Sequence, residues 1–203
     1  MKNMQTIKSN KWFIPGIIGG VLVLLFIMVI SSYNGLVNKR ENVRNKLGNV
    51  QTQYQRRADL VPNLVSTVKG AADFEQSTLL QVTEARTKAN SIQIDPKNVT
   101  PQQLQQYQSA QGELGQAIGR LLVTVEAYPQ IKAVEAFRDL QSQLEGTENR
   151  IAVARKDFND TASTYNATVQ RFPSNITAGI FGFDKFTYFE ADPGSQKAPS
   201  VQF

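Results

Sequence analysis

Four residues near the middle of the C-terminal half are the densest set with chemistry to offer. Glu148, Asn149, Arg150 and Arg155 share one uninterrupted helical pattern, with Glu148 and Arg155 seven apart on one face. A carboxylate beside arginines can move protons or bind an anion. The same residues on a long helix also serve as solvated surface or as structural ion pairs, or join a buried polar network with the Arg56–Asn63 stretch. A second group surrounds Pro62: Arg57 and Asp59 before it and Asn63 after it. If Pro62 breaks the helix, these line a notch for a partner or ligand. The plainer alternative is that Asp59 caps the next turn and Arg57 pairs with a nearby acid. Asn159 and Asn166 form a third set, one heptad apart and each following an aromatic, as Asn34 follows Tyr33. Asn is poor in mid-helix, so its repetition points to inter-helix hydrogen bonds or subunit register, against plain solvent exposure.

The chain holds no Cys and no His. Disulfides, thiolate chemistry and the usual neutral-pH base are therefore absent. There is no Gly-rich phosphate loop, Ser-triad context, Asp-rich cation loop or metal-ligand spacing. The reading is of a non-enzyme with no catalytic residues, no metal and no cofactor. The net charge of +5 is modest, and the basic residues form no dense cluster beyond Arg56-Arg57. Nucleic acid is not expected as a partner.

These residues must be positioned by helices, and the first helix belongs to a membrane. Trp12 to Tyr33 reads WFIPGIIGGVLVLLFIMVISSY, with no charge between Lys11 and Lys39. About 20 apolar residues cross a hydrocarbon core, and Trp12 and Tyr33 stand as interfacial aromatics at the ends. The run is too long for a cleaved signal, and helical spacing continues without a gap through SSYNGLVNKRENV. Gly16 and Gly20 form a GxxxG, a spacing that lets two membrane helices approach. Lys2, Lys8 and Lys11 on one flank balance Lys39, Arg40, Arg44 and Lys46 on the other, so charge gives no preference for either side. The expected organisation is a basic tail (1–11), a transmembrane helix (12–33), a helical bundle (34–172) and an aromatic-rich irregular tail (173–203).

Within the bundle the apolar spacing predicts helices over about 34–60, 63–90, 101–128 and 130–170, with Pro62 separating the first two. Thr100-Pro101-Gln102-Gln103 is a capping box with proline at the first helical position. Gly112, Gly115 and Gly119 suggest the close passage of a neighbouring backbone. Phe137, Leu144, Ile151, Phe158, Tyr165 and Phe172 repeat every seven residues and predict one long packed seam. Its companion positions are mixed, with Thr147, Thr161 and Thr168 unsuited to a core, which favours a bundle over a two-stranded coiled coil. The fold class is all-α: an N-terminal transmembrane helix and a long antiparallel four-helix bundle. The aromatic tail either folds back on the bundle or is buried in another subunit, with a short strand expected near Phe186–Glu190.

Several segments in order carry a resemblance. Tyr33-Asn34-Gly35-Leu36-Val37 comes first, followed by Arg56-Arg57-Ala58-Asp59-Leu60-Val61-Pro62-Asn63-Leu64 and its continuation through Gly70. Then come Glu126-Ala127-Tyr128-Pro129, Leu140-Gln141 and Thr147-Glu148-Asn149-Arg150-Ile151-Ala152. Ala154-Arg155, Phe158-Asn159, Tyr165-Asn166 and Phe172-Pro173 complete the set. Together they resemble the LemA family of bacterial membrane proteins over about 33–190. Phe74 departs from a His that the family often carries, and Ile131-Lys132-Ala133-Val134 from its Leu-Lys-Ala-Asn. The resemblance implies an N-terminal membrane helix and a long antiparallel helical domain, and it does not imply a known catalytic activity; a single-pass protein of the bacterial cytoplasmic membrane is expected. It also points to an envelope partner, since members are often described near genes for membrane proteases or other envelope proteins. Membrane lipid, further copies of the chain and an envelope protein are the expected partners. Scaffolding or membrane shaping is the expected role, and an accessory subunit of an envelope enzyme is the alternative.

Overall fold

The computed structural model describes residues 13–70 and 75–190. Trp12 and Phe74 lie outside them. The architecture is all-helical, and its longest element is α1 (Phe13–Lys69), 57 residues without interruption. At 1.5 Å per residue it is about 85 Å long. Its first third is long and apolar enough to cross a membrane, and among the described residues that stretch is exposed throughout. From Leu36 the surface changes: Leu36, Val43, Leu47, Val50, Tyr54, Ala58, Val61, Leu64 and Val68 form a buried stripe at helical spacing.

Pro62 does not end or divide this helix, contrary to the expectation of separate helices over 34–60 and 63–90. Proline removes the amide that would bond the carbonyl four residues earlier, here that of Ala58. A side chain from another helix supplies the missing donor: Arg86 Nε donates to the Ala58 carbonyl at 2.8 Å. With that orphan satisfied, α1 runs on to Lys69. Asp59 consequently caps nothing; it sits in mid-helix and accepts from Gln55 at 2.7 Å.

The remaining elements are α2 (Gln76–Ser91), α3 (Pro101–Val125), the single turn α4 (Pro129–Lys132), α5 (Glu135–Gln170) and α6 (Ser174–Phe181). The capping box of α3 is present: Thr100 and Gln103 exchange hydrogen bonds at 3.0 and 3.2 Å. The expected helix over 130–170 is divided, because Val134 is extended between α4 and α5. α6 is a helix within the segment expected to be irregular.

α5 runs antiparallel to α1 along almost the whole bundle, as Lys46–Asp157 (2.9 Å) and Arg57–Glu148 (2.8 Å) show. Its heptad seam is buried from Phe137 to Tyr165, whereas Phe172 is 74% exposed. Thr147, expected to be unsuited to a core, is fully buried; its hydroxyl donates to Gln143 O (2.7 Å) and accepts from Arg150 (2.9 Å).

The bundle is four-helical only in its distal half, where α2 and α3 pair and cover α1 and α5. In the half nearer the apolar segment, two non-helical stretches complete the core. The 92–99 loop lies along α1, held by Gln51 to Ile94 O (2.7 Å) and Arg44 to Lys97 O (2.9 Å). Residues 183–190 fold back along α5, burying Phe183 and Phe189.

If Arg86 replaces the missing amide, Arg86→Met lowers stability by about 1–3 kcal/mol in urea unfolding of the detergent-solubilised chain. In a Pro62→Ala background the loss shrinks, because the restored amide refills the carbonyl. Equal losses in both backgrounds would refute the role.

Candidate functional site

Arg57 is 3% exposed and stands between two apolar clusters, one on each side along the bundle axis. A buried guanidinium is costly unless its donors are used. Here Nη1 donates to Glu148 Oε1 at 2.8 Å, and Nη2 to Gln111 O at 2.6 Å and Gln111 Oε1 at 3.0 Å. The guanidinium also lies 5.2 Å from the Tyr54 ring centre. One cation thus ties α1 to α3 and α5 at one level. Gln111 is itself bonded onward to Ala89 O of α2 at 3.4 Å. Burial, with Tyr54 adding to it and Arg57 opposing, holds the neighbouring Tyr107 phenol above the ordinary tyrosine range.

The layer opens on one side into a groove of about 390 Å³ between α3 and α5. Gly112, Gly115 and Gly119 form one wall, and Glu145, Glu148 and Arg155 the other. The glycines do not admit a neighbouring backbone: a Cβ at Gly115 would stand 3.2 Å from Arg57 Nη1, while Gly112 and Gly119 face open space. Among the described residues no three His, Cys, Asp or Glu side chains converge to hold a metal. The polar groups here join helices, and the groove offers a half-exposed carboxylate and a guanidinium at its rim.

Asn159 and Asn166 work on the tail. Asn166 donates to Phe186 O (2.8 Å) and accepts from Phe186 N (2.9 Å). Asn159 does the same with Phe189, both at 2.9 Å. Gln108 repeats the pattern on Glu190 at 2.9 and 3.2 Å. A carboxamide carries one donor and one acceptor side by side, as a backbone does, so three of them replace the neighbouring strand that 183–190 lacks. That is why no strand forms at Phe186–Glu190 although the chain is extended. Arg155 joins the clamp through Glu190 O and covers Phe189 at 5.6 Å. Tyr165 is buried and stacks edge-on with Phe186 at 5.3 Å.

The other singled-out residues are dispersed. Asn149 is exposed, and Arg150 bonds its own helix through Thr147. With α1 continuous at Pro62, the notch expected around Asp59 and Asn63 has no break to form it. Asn63 accepts through its carbonyl from Ser66 and Thr67. Gly16 and Gly20 are open to whatever surrounds the apolar segment, and Tyr33 meets Phe181 and Phe183. Sequence reasoning misses Gln108, Gln111 and Arg86. Of these Gln111 does carry a signal: it interrupts the apolar series Leu104, Tyr107, Leu114, Ile118 at a position on the same face.

Truncating the cation leaves buried acceptors without donors, so Arg57→Ala should cost about 2–4 kcal/mol. Glu148→Gln should cost under about 1 kcal/mol, since that carboxylate is half exposed and Gln111 still holds the guanidinium. Thermal unfolding in detergent compares them; equal effects would place the energy in the ion pair and contradict this account.

Known proteins resemble this chain in sequence. The chain is 31% identical over 195 residues to magnetosome protein MamQ 2 of Paramagnetospirillum magneticum, covering 87% of this chain and 72% of that one. It is 28% identical over 189 residues to magnetosome protein MamQ of Magnetospirillum gryphiswaldense, covering 85% and 70%. With protein LemA of Metamycoplasma hominis it shares 22% over 177 residues, covering 83% and 77%. The profile of the LemA family matches residues 46–203, a stretch that holds the Arg57 layer, the carboxamide clamp and α6. The chain belongs to the LemA family.

Proposed function

We infer that this is a non-enzymatic, single-pass membrane protein that acts by contact: it assembles with further copies of itself and with other proteins at a membrane surface. The observation that carries the reading is α1, one helix that is apolar and unpacked over its first third and the spine of a bundle over the rest. Such a helix passes no flexible joint between membrane and bundle, so it holds the bundle at a set height and angle. The polar groups at the centre are used to join helices, which supports a structural role. The LemA family match and the relatives named as magnetosome proteins support a membrane-associated helical protein. Scaffolding or shaping of the bacterial cytoplasmic membrane is the role this reading assigns, with lipid as the first partner and no nucleic acid. The groove beside Arg57 and Glu148 favours a second reading, an adaptor for an envelope enzyme such as a membrane protease, which would dock there.

Self-assembly is tested by the mass of the full chain in mild detergent, beside a Gly16→Leu, Gly20→Leu variant. An assembly larger than the monomer, reduced in the variant, is expected. A strict monomer at high concentration contradicts self-assembly and shifts the weight to the adaptor reading.

A further inference from the structure

α6 is built the wrong way round for a helix on a water-facing surface. Its buried side chains are small, Thr177 and Ala178, at 3% and 4% exposure. Its large apolar ones face outward: Ile176 at 53%, Ile180 at 68% and Phe181 at 48%, with Phe172 just before the helix. Ile176 and Ile180 are one turn apart and share a face. Surface helices normally turn such a face to the core. No charge occurs from Phe172 to Phe183; Arg171 bounds the stretch on one side and Asp184, followed by Lys185, on the other.

The position of α6 says what covers it. Tyr33, the aromatic at the end of the apolar run of α1, packs edge-on against Phe181 with ring centres 4.9 Å apart and against Phe183 at 5.6 Å. The Arg40 guanidinium sits 4.6 Å over the Phe183 ring. α6 therefore stands where the apolar surface of α1 gives way to charge, and its exposed face continues that surface. Lys39, Arg40, Arg171 and Lys185 outnumber Glu41 and Asp184 around it, which suits anionic headgroups.

We propose that α6, with Phe172, is a second membrane contact: an interfacial helix that beds its Ile176–Ile180 face at the boundary of headgroups and acyl chains. The bundle is then held to the lipid surface at two points, α1 and α6, which fixes its tilt. The proposal rests on the reading of α1 as a membrane span, and the test separates the two.

The chain has no Cys, so single labels are unambiguous. Leu24→Cys, Ile180→Cys and Val153→Cys are each spin-labelled in the full chain, in vesicles of phosphatidylcholine with phosphatidylglycerol. Collision with oxygen, which enters lipid, is compared with collision with a water-soluble nickel complex. The expected oxygen-to-nickel ratio at Ile180 exceeds that at Val153, on the exposed face of α5, by about threefold or more. A water-like ratio at Ile180, with a lipid-like one at Leu24, overturns the α6 proposal and leaves the span intact. Low collision with both reagents at Ile180 means that protein covers it, which also overturns the proposal. A water-like ratio at Leu24 removes the span and the proposal together.

Discussion

One carbonyl decides whether α1 is a single helix or two joined at Pro62. Ala58 O loses its helical partner to Pro62, and Arg86 of α2 fills the gap. A buried carbonyl without a donor would favour bending or ending the helix there. Because the donor comes from α2, the continuity of α1 and the docking of α2 are one event. Everything else is laid along the spine that results: α5 against its length, α2 and α3 against the distal half, and two non-helical stretches against the rest.

Those non-helical stretches carry a cost that explains the polar residues around them. A chain segment packed on a helix brings amides and carbonyls that the helix backbone cannot satisfy. The bundle answers with side chains: Gln51 and Arg44 for the loop, and Asn159, Asn166 and Gln108 for the tail. Arg57 does the corresponding task between helices, linking α1, α3 and α5 where the two apolar clusters meet. Buried polar groups of this kind fix register, because an apolar seam alone tolerates sliding.

Periodicity makes the apolar segment, the α3 cap and the heptad seam of α5 readable from residues alone. Each is a local pattern with a local cause. The features that escape such reading are non-local. Pro62 reads as a break because its remedy, Arg86, lies 24 residues away and looks like any surface arginine. α6 reads as irregular because its eight residues include Gly179 and mix polar with apolar types. Its apolar residues face away from the protein, so there is no core-facing period to find. Asn159 and Asn166 signal a hydrogen-bonded role by recurring at a heptad, but only the chain path shows that their partner is the tail, not a helix or another copy. The Arg57–Glu148 pairing is among the readings the sequence leaves open; Gln111, which completes it, shows only as a polar residue on an apolar face.

The account stands or falls on α1 being one rigid helix from the apolar segment into the bundle. The most direct test is the distance between spin labels at Leu25→Cys and Thr52→Cys in the full chain in lipid, measured by pulsed electron resonance. Both sites are exposed, and 27 residues of straight helix separate them. A narrow distribution near about 40 Å is predicted. A broad or much shorter one would mean that the bundle swings freely below the apolar segment, and α1 would not be one rigid helix.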